Sequence, residues 1–174
     1  MSRAGAVVFK GQPMTLVGDE VKAGQPAPDF TLHTFRDGQM QAIRPADLRG
    51  KPTIISVVPS LDTPVCQVQT KKFNEHLGKL GDKIHALTVS LDLPFAMNRF
   101  CGAEKITHLV SASDYQDRSF GRNWGMLIDE LKILARGTFV LDASGKVVYA
   151  ETVKEIGHEP NYEAALAALE PLVN

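Results

Sequence analysis

The residues of this sequence best suited to chemistry are two cysteines, Cys66 and Cys101, and the stretch leading into the first, Pro59-Ser60-Leu61-Asp62-Thr63-Pro64-Val65-Cys66. With Thr63 or Asp62 as helix cap, Pro64 falls at N1 or N2 and Cys66 near N3. First-turn amides have no intrahelical acceptors, and the helix dipole adds partial positive charge; both favour thiolate over thiol. Cysteines so placed can have pKa values of roughly 3.5 to 7.5. The competing use of Cys66 is packing as a small hydrophobe. The Thr63 hydroxyl can face the same small pocket, donating to a thiolate or accepting from a hydroxyl-bearing substrate; helix capping competes for that oxygen. Pro59 lacks an amide donor, ends the preceding strand and can shield the sulfur from water. Cys101 is expected toward the C-terminal end of a short helix, where the dipole disfavours a thiolate, so an oxidant should meet Cys66 first.

These side chains must be held by the elements around them. The segment from Thr53 opens as an apolar, β-branched run (Ile54, Ile55, Val57, Val58), the pattern of a strand buried on both faces. The helix that follows is expected to bury Val65, Val68, Lys72, Phe73, His76 and Leu77 along one side. Residues 83–90 read as a second buried strand, completing a β-α-β unit with parallel strands. Asp92 can cap the short helix through Pro94, Phe95 and Phe100 to Cys101-Gly102. Upstream, residues 6–17 read as a hairpin across Lys10-Gly11-Gln12-Pro13 with no obvious chemistry, followed by a short strand at 29–32, a turn at 36–39 and a helical turn at 45–48. Downstream come a strand at 108–113, a helix at 119–127 around Phe120 and Trp124, a hairpin of 136–142 and 146–152, and an amphipathic helix at 162–172 burying Leu166, Leu169 and Leu172. The order is that of an α/β, thioredoxin-like fold: a central mixed β-sheet flanked by helices, with an N-terminal β-hairpin.

The chain has 174 residues, 44% hydrophobic and 22% charged, with a formal net charge of −1. That length suits a single domain spanning 1–174. The charge gives no case for nucleic acid or an anionic membrane, and no apolar run approaches the roughly 20 residues of a membrane span. The N-terminus lacks the pattern of a secretory signal, so a cytoplasmic location is expected. Cys66 and Cys101 are too far apart for a C-x-x-C motif. His33, His76, His85, His108 and His158 are scattered without metal-ligand spacing, and no cofactor motif is present. A phosphatase loop would require Arg where Lys72 stands. Trp124 with Phe120, Met126 and Leu127 suits a core or a partner surface.

The P-x-x-x-T-x-x-C pattern after a buried strand resembles the peroxiredoxins, and PSLDTPVC is similar to their thiol peroxidase subgroup. Three further stretches carry the same resemblance in order: SLDLPFAMNRFCGAE (90–104), LARGTFVLD (134–142) and EPNYEAALAAL (159–169). The resemblance implies that Cys66 is the peroxidatic cysteine, which hydroperoxides oxidise to a sulfenic acid. It further implies that Thr63 hydrogen-bonds peroxide and thiolate, that Pro59 lines the pocket, and that Arg136 holds the thiolate and polarises the peroxide. Cys101 would be the resolving cysteine, closing an intrachain disulfide that a thioredoxin-like protein reduces. The Cys66 and Cys101 segments would unwind locally to form that bond. The resemblance also implies a homodimer with its interface near the active-site face, and no cofactor. A redox sensor sharing the two cysteines would differ by lacking turnover with a dithiol, and an interaction domain with incidental thiols by its indifference to Cys66→Ser.

Overall fold

The computed structural model describes residues 1–174. Strands β1 (Ser2–Phe9) and β2 (Gln12–Val17) pair across a two-residue turn, Lys10-Gly11, so the hairpin begins four residues earlier than expected. Strands β3 (Leu32–Arg36) and β4 (Gln39–Ile43) form a second hairpin across Asp37-Gly38. The strand expected at 29–32 therefore starts where it was to end, with Phe30 in the core. β4 escapes sequence reading because QMQAI is largely exposed, and its alternating Met40 and Ala42 are not the β-branched or aromatic residues that mark a strand. A 3₁₀ turn at Pro45–Leu48 leads to β5 (Thr53–Val57), α1 (Pro64–Leu77), β6 (His85–Ser90), α2 (Pro94–Ala103) and β7 (Val110–Ser113). Then follow α3 (Ser119–Asn123), β8 (Leu127–Ile128), β9 (Gly137–Leu141), β10 (Val147–Thr152) and α4 (Tyr162–Val173).

Seven strands build the central mixed sheet in the order β10-β9-β5-β6-β7-β3-β4, with β5, β6 and β7 parallel. The hairpin and β8 make a separate three-stranded sheet. All five residues of β5 are buried, and their alternation divides two apolar layers. Ile54 packs with Phe73 and Leu77 of α1 and with Ala165 and Leu169 of α4. Ile55 and Val57 face the opposite layer, with Phe139, Trp124 and Met126. Trp124 is 1% exposed, stacks on Phe120 at 4.9 Å and donates through Nε1 to the Pro28 carbonyl. Its place is the core, not a partner surface.

Three helices depart from expectation. α1 buries Cys66, Gln69, Thr70, Phe73 and Leu77, whereas Val68 is 40% exposed and Lys72 pairs with Glu159 at 2.9 Å on the surface. Stepping back from the anchors Leu77 and Phe73 in threes and fours reaches 69, 70 and 66; polar Gln69 and Thr70 disguise the face. α3 stops at Asn123, and Gly125, at φ +65°, turns the chain so that Leu127 and Ile128 pair with β2. In α4, Ala165 and Leu169 are buried while Leu166 and Leu172 are only partly covered.

Asp114 follows β7 and accepts from the amides of Phe120 (3.0 Å) and Gly121 (2.8 Å), tying α3 to the aromatic core. Burial pushes its pKa up to about 6, against the opposing pull of those amides. A raised carboxyl pKa means that the folded chain holds the proton to higher pH than the unfolded chain. Its contribution is therefore full below about pH 4 and is lost as pH rises through about 6, an order-of-magnitude 3 kcal/mol. Urea unfolding between pH 4 and 8 should show this decline, and Asp114→Asn should flatten it. The same slope in both proteins would exclude Asp114 as its source.

Candidate active site

Thr63 is the N-cap of α1, in extended conformation, Pro64 is N1 and Cys66 is N3. No side chain caps the turn, so the Thr63 hydroxyl is not spent on the helix. It donates instead to the Ser60 carbonyl at 3.1 Å, which leaves its lone pairs free to accept. Cys66 is fully buried among Val58, Leu61 and Met97, with a free thiol. Pro59, Thr63 and Arg136 line one cleft of about 390 Å³, together with Ser60, Pro64 and Val65. Cys66 lies in the helical turn behind this wall and is not itself among the lining residues.

Arg136 stands immediately before β9 and is 2% exposed. Its Nε donates to the Ile156 carbonyl at 2.8 Å and its Nη1 to Gln69 Oε1 at 2.9 Å. Nη2 makes no hydrogen bond within the protein, and no carboxylate pairs with the guanidinium. The nearest opposing charge is Glu159, which feels the guanidinium without bonding to it and is itself held by Lys72 and Tyr162. A buried cation with no directly bonded carboxylate is costly to keep and can attract negative charge. Gly137, the next residue, admits no side chain, because a Cβ would collide with the Glu151 carbonyl. β9 and β10 can therefore close together behind the arginine.

Two residues absent from the sequence-based set hold this geometry. Gln69 is fully buried and donates through Nε2 to Ser56 Oγ (2.8 Å) and the Val57 carbonyl (3.3 Å), fixing the amide that holds Arg136. Its position three residues after Cys66 was the available signal, since a helix puts both on one face. The second is Asp92, expected as the cap of α2. That cap is Leu93, without side-chain capping, because the Asp92 carboxylate turns the other way. It accepts from Ser60 Oγ (2.8 Å), the Leu61 amide (2.8 Å) and Ser90 Oγ (2.7 Å). Ser60 in turn receives the Thr63 hydroxyl and amide on its carbonyl. Asp92 thus ties the loop ahead of Cys66 to the end of β6 and the entry of α2. Removing it by Asp92→Ala should slow oxidation of the Cys66 thiol roughly tenfold, since small misplacements cost rate steeply. Stopped-flow oxidation, with amide exchange at Leu61 as the structural readout, checks this; unchanged exchange and rate would exclude the tie.

Cys101 occupies the last turns of α2 as expected, half-buried and apart from Cys66, against the Phe73–Leu109 layer. It lines a different cavity, of about 190 Å³, with Thr34, Asn98 and Ser111. Burial pushes the Cys101 thiol up, with a hydrogen bond to Ser111 acting against it. The structure therefore gathers Pro59, Thr63 and Arg136 around the Cys66 turn and leaves Cys101 outside that group. The N-terminal hairpin, read as lacking chemistry, supplies Phe9 and Lys10 to the Arg136 cleft.

This architecture and cysteine setting have counterparts among known proteins. The chain belongs to the redoxin family, whose sequence profile matches residues 22–166. It is 52% identical to the thiol peroxidase of Bacillus subtilis over 167 residues, covering 96% of this chain and 98% of that one. With the thiol peroxidase of Streptococcus pneumoniae it shares 46% identity over 166 residues, 95% and 99% of the two chains. A peroxiredoxin-like protein from Aquifex aeolicus superposes with a TM-score of 0.87 at 40% identity, over 97% of this chain and 98% of that one. The fold is the thioredoxin-like fold of peroxiredoxins, and within the redoxin family the chain groups with the thiol peroxidases.

Proposed function

We propose that this chain reduces hydrogen peroxide and organic hydroperoxides at Cys66 and regenerates through Cys101. The Cys66 thiolate attacks one peroxide oxygen; an S–O bond forms, the O–O bond breaks, and the second oxygen leaves as water or an alcohol after taking a proton. The product at Cys66 is a sulfenic acid. The Cys101 thiol then displaces its hydroxyl as water, giving an intrachain disulfide. A thioredoxin-like dithiol protein supplies the two electrons and two protons that reopen the disulfide. Thr63 accepts a hydrogen bond from the peroxide, the unpartnered Nη2 of Arg136 stabilises the departing oxygen, and Pro59 closes the cleft against water.

The observation that carries this reading is the convergence of Pro59, Thr63 and an unpaired Arg136 on one cleft at the first turn of α1. The two thiols lie in separate apolar clusters, so resolution requires local unwinding of the first turn of α1 and the last turn of α2. One domain comprising 1–174, acting as a homodimer in the cytoplasm, completes the proposal; no helix is long and apolar enough to cross a membrane. The test is peroxide turnover with thioredoxin, thioredoxin reductase and NADPH, followed by intact mass after one addition of peroxide. The expected product is a monomer lighter by two hydrogens, with the Cys66–Cys101 linkage found by peptide mapping. Catalytic turnover without that linkage would overturn the assignment of Cys101.

A further inference from the structure

The cleft that holds Pro59, Thr63 and Arg136 is far larger than hydrogen peroxide needs. A water molecule's share of liquid volume is roughly 30 Å³, against about 390 Å³ here. Its outer wall is apolar, formed by Phe9 of the hairpin with Leu131 and Ile133, and Leu131 is left 38% exposed. Only two lining residues carry charge, Lys10 and Arg136, and both are cations. Arg136 is buried and held from behind, whereas Lys10 is exposed. The Lys10 ammonium forms no salt bridge and lies 5.5 Å from the centroid of the Phe9 ring. The acids next in sequence to lining residues, Asp62, Glu130 and Glu155, do not themselves line the cleft; Glu130 accepts from the Thr15 amide and Glu155 from the Gly157 amide.

The turn itself gives a second argument. Lys10 and Gly11 both have positive φ, +49° and +79°, in the two-residue connection between β1 and β2. Such a turn favours Asn, Asp or Gly at its first position, and a lysine there is strained. The backbone has no use for a lysine at this point, yet the side chain brings an unpaired ammonium to the rim of an apolar cleft.

We propose that Lys10 is a specificity-determining residue that binds the carboxylate of long-chain hydroperoxides bearing a carboxylic acid. The alkyl chain lies along Phe9, Leu131 and Ile133, and the peroxide group faces Thr63 and Arg136. This selection rests on the peroxidase reading above, and it concerns which hydroperoxide is preferred rather than the chemistry at sulfur.

The experiment compares kcat/KM for linoleic acid hydroperoxide, below its micellar concentration, with that for its methyl ester. Dithiothreitol serves as reductant, so that no partner protein enters the comparison. The readout is the acid-to-ester ratio within each of three proteins: wild type, Lys10→Asn and Lys10→Glu. Asn suits the turn, so Lys10→Asn removes the charge while keeping the hairpin, as its thermal unfolding should verify. The wild type should favour the acid roughly three- to fivefold at low salt, the scale of an exposed ion pair. That preference should fade as salt rises, disappear in Lys10→Asn and invert in Lys10→Glu. An equal ratio in all three proteins overturns the role of Lys10. Failure of the wild type to consume even the methyl ester or hydrogen peroxide would instead overturn the peroxidase reading, and this proposal with it.

Discussion

Cys66→Ser should consume hydroperoxide on the order of 10⁴-fold more slowly than wild type, or not measurably, because a serine hydroxyl stays protonated and lacks a base to activate it. The substitution places a hydroxyl in a fully buried apolar cluster with Val58, Leu61 and Met97. Cys66→Ala serves as a second variant that introduces no buried polar group. Both should melt cooperatively and both should be inactive. Cys101→Ser should behave differently: it should consume one equivalent of peroxide at the wild-type rate and then stall. Mass spectrometry should find one added oxygen on Cys66 at first, and more with excess oxidant. Residual activity above about one part in a hundred in a folded Cys66 variant would remove Cys66 from its role.

The second large effect concerns Arg136. Its Nη2 bonds nothing in the protein, while Nε and Nη1 are held by Ile156 and Gln69. Losing one fixed donor to a developing oxyanion costs roughly 10²- to 10³-fold in rate where measured elsewhere. Arg136→Lys keeps the charge but cannot hold Ile156 and Gln69 while still reaching the cleft, so it should lose nearly as much as Arg136→Met. Gln69→Ala acts through the arginine and should lower kcat/KM roughly 10²-fold. Gln69→Glu restores an acceptor for Nη1 but loses the donor to the Val57 carbonyl, so its rate should fall between wild type and Gln69→Ala. Quenched-flow oxidation of Cys66, read by intact mass, is the measurement that checks these rates. Full activity in Arg136→Lys would show that charge alone, not the geometry of the fork, is what the reaction requires.

Elements with a strong local signal were legible before folding is considered. β5 reads from its unbroken apolar run, and the start of α1 from Thr63-Pro64, where cap and proline preferences are properties of adjacent residues. The same locality placed Cys66 at N3 and Cys101 near the end of α2. Resemblance along four colinear stretches implies a role for Arg136 that its own surroundings in sequence do not suggest. Signals failed where a strand was exposed and poor in β-branched residues, or where polar residues took buried positions: β4 was missed, and the buried face of α1 was rotated by Gln69 and Thr70.

Sequence by itself thus determined the family, the order of elements and which cysteine begins a helix, because these depend on neighbouring residues or on motifs read in order. Only the tertiary structure decided what surrounds that cysteine. Gln69 becomes the support of Arg136 because β9 runs beside β5, across 67 residues of chain. Asp92 leaves its own helix cap because Ser60 and Leu61 arrive beside it from another strand end. Lys10 reaches the cleft because β1 pairs with the segment around Glu155, whose neighbour Ile156 holds Arg136. Each of these contacts joins residues distant in sequence, and no local preference encodes them; the packing of sheet and hairpin brings them together.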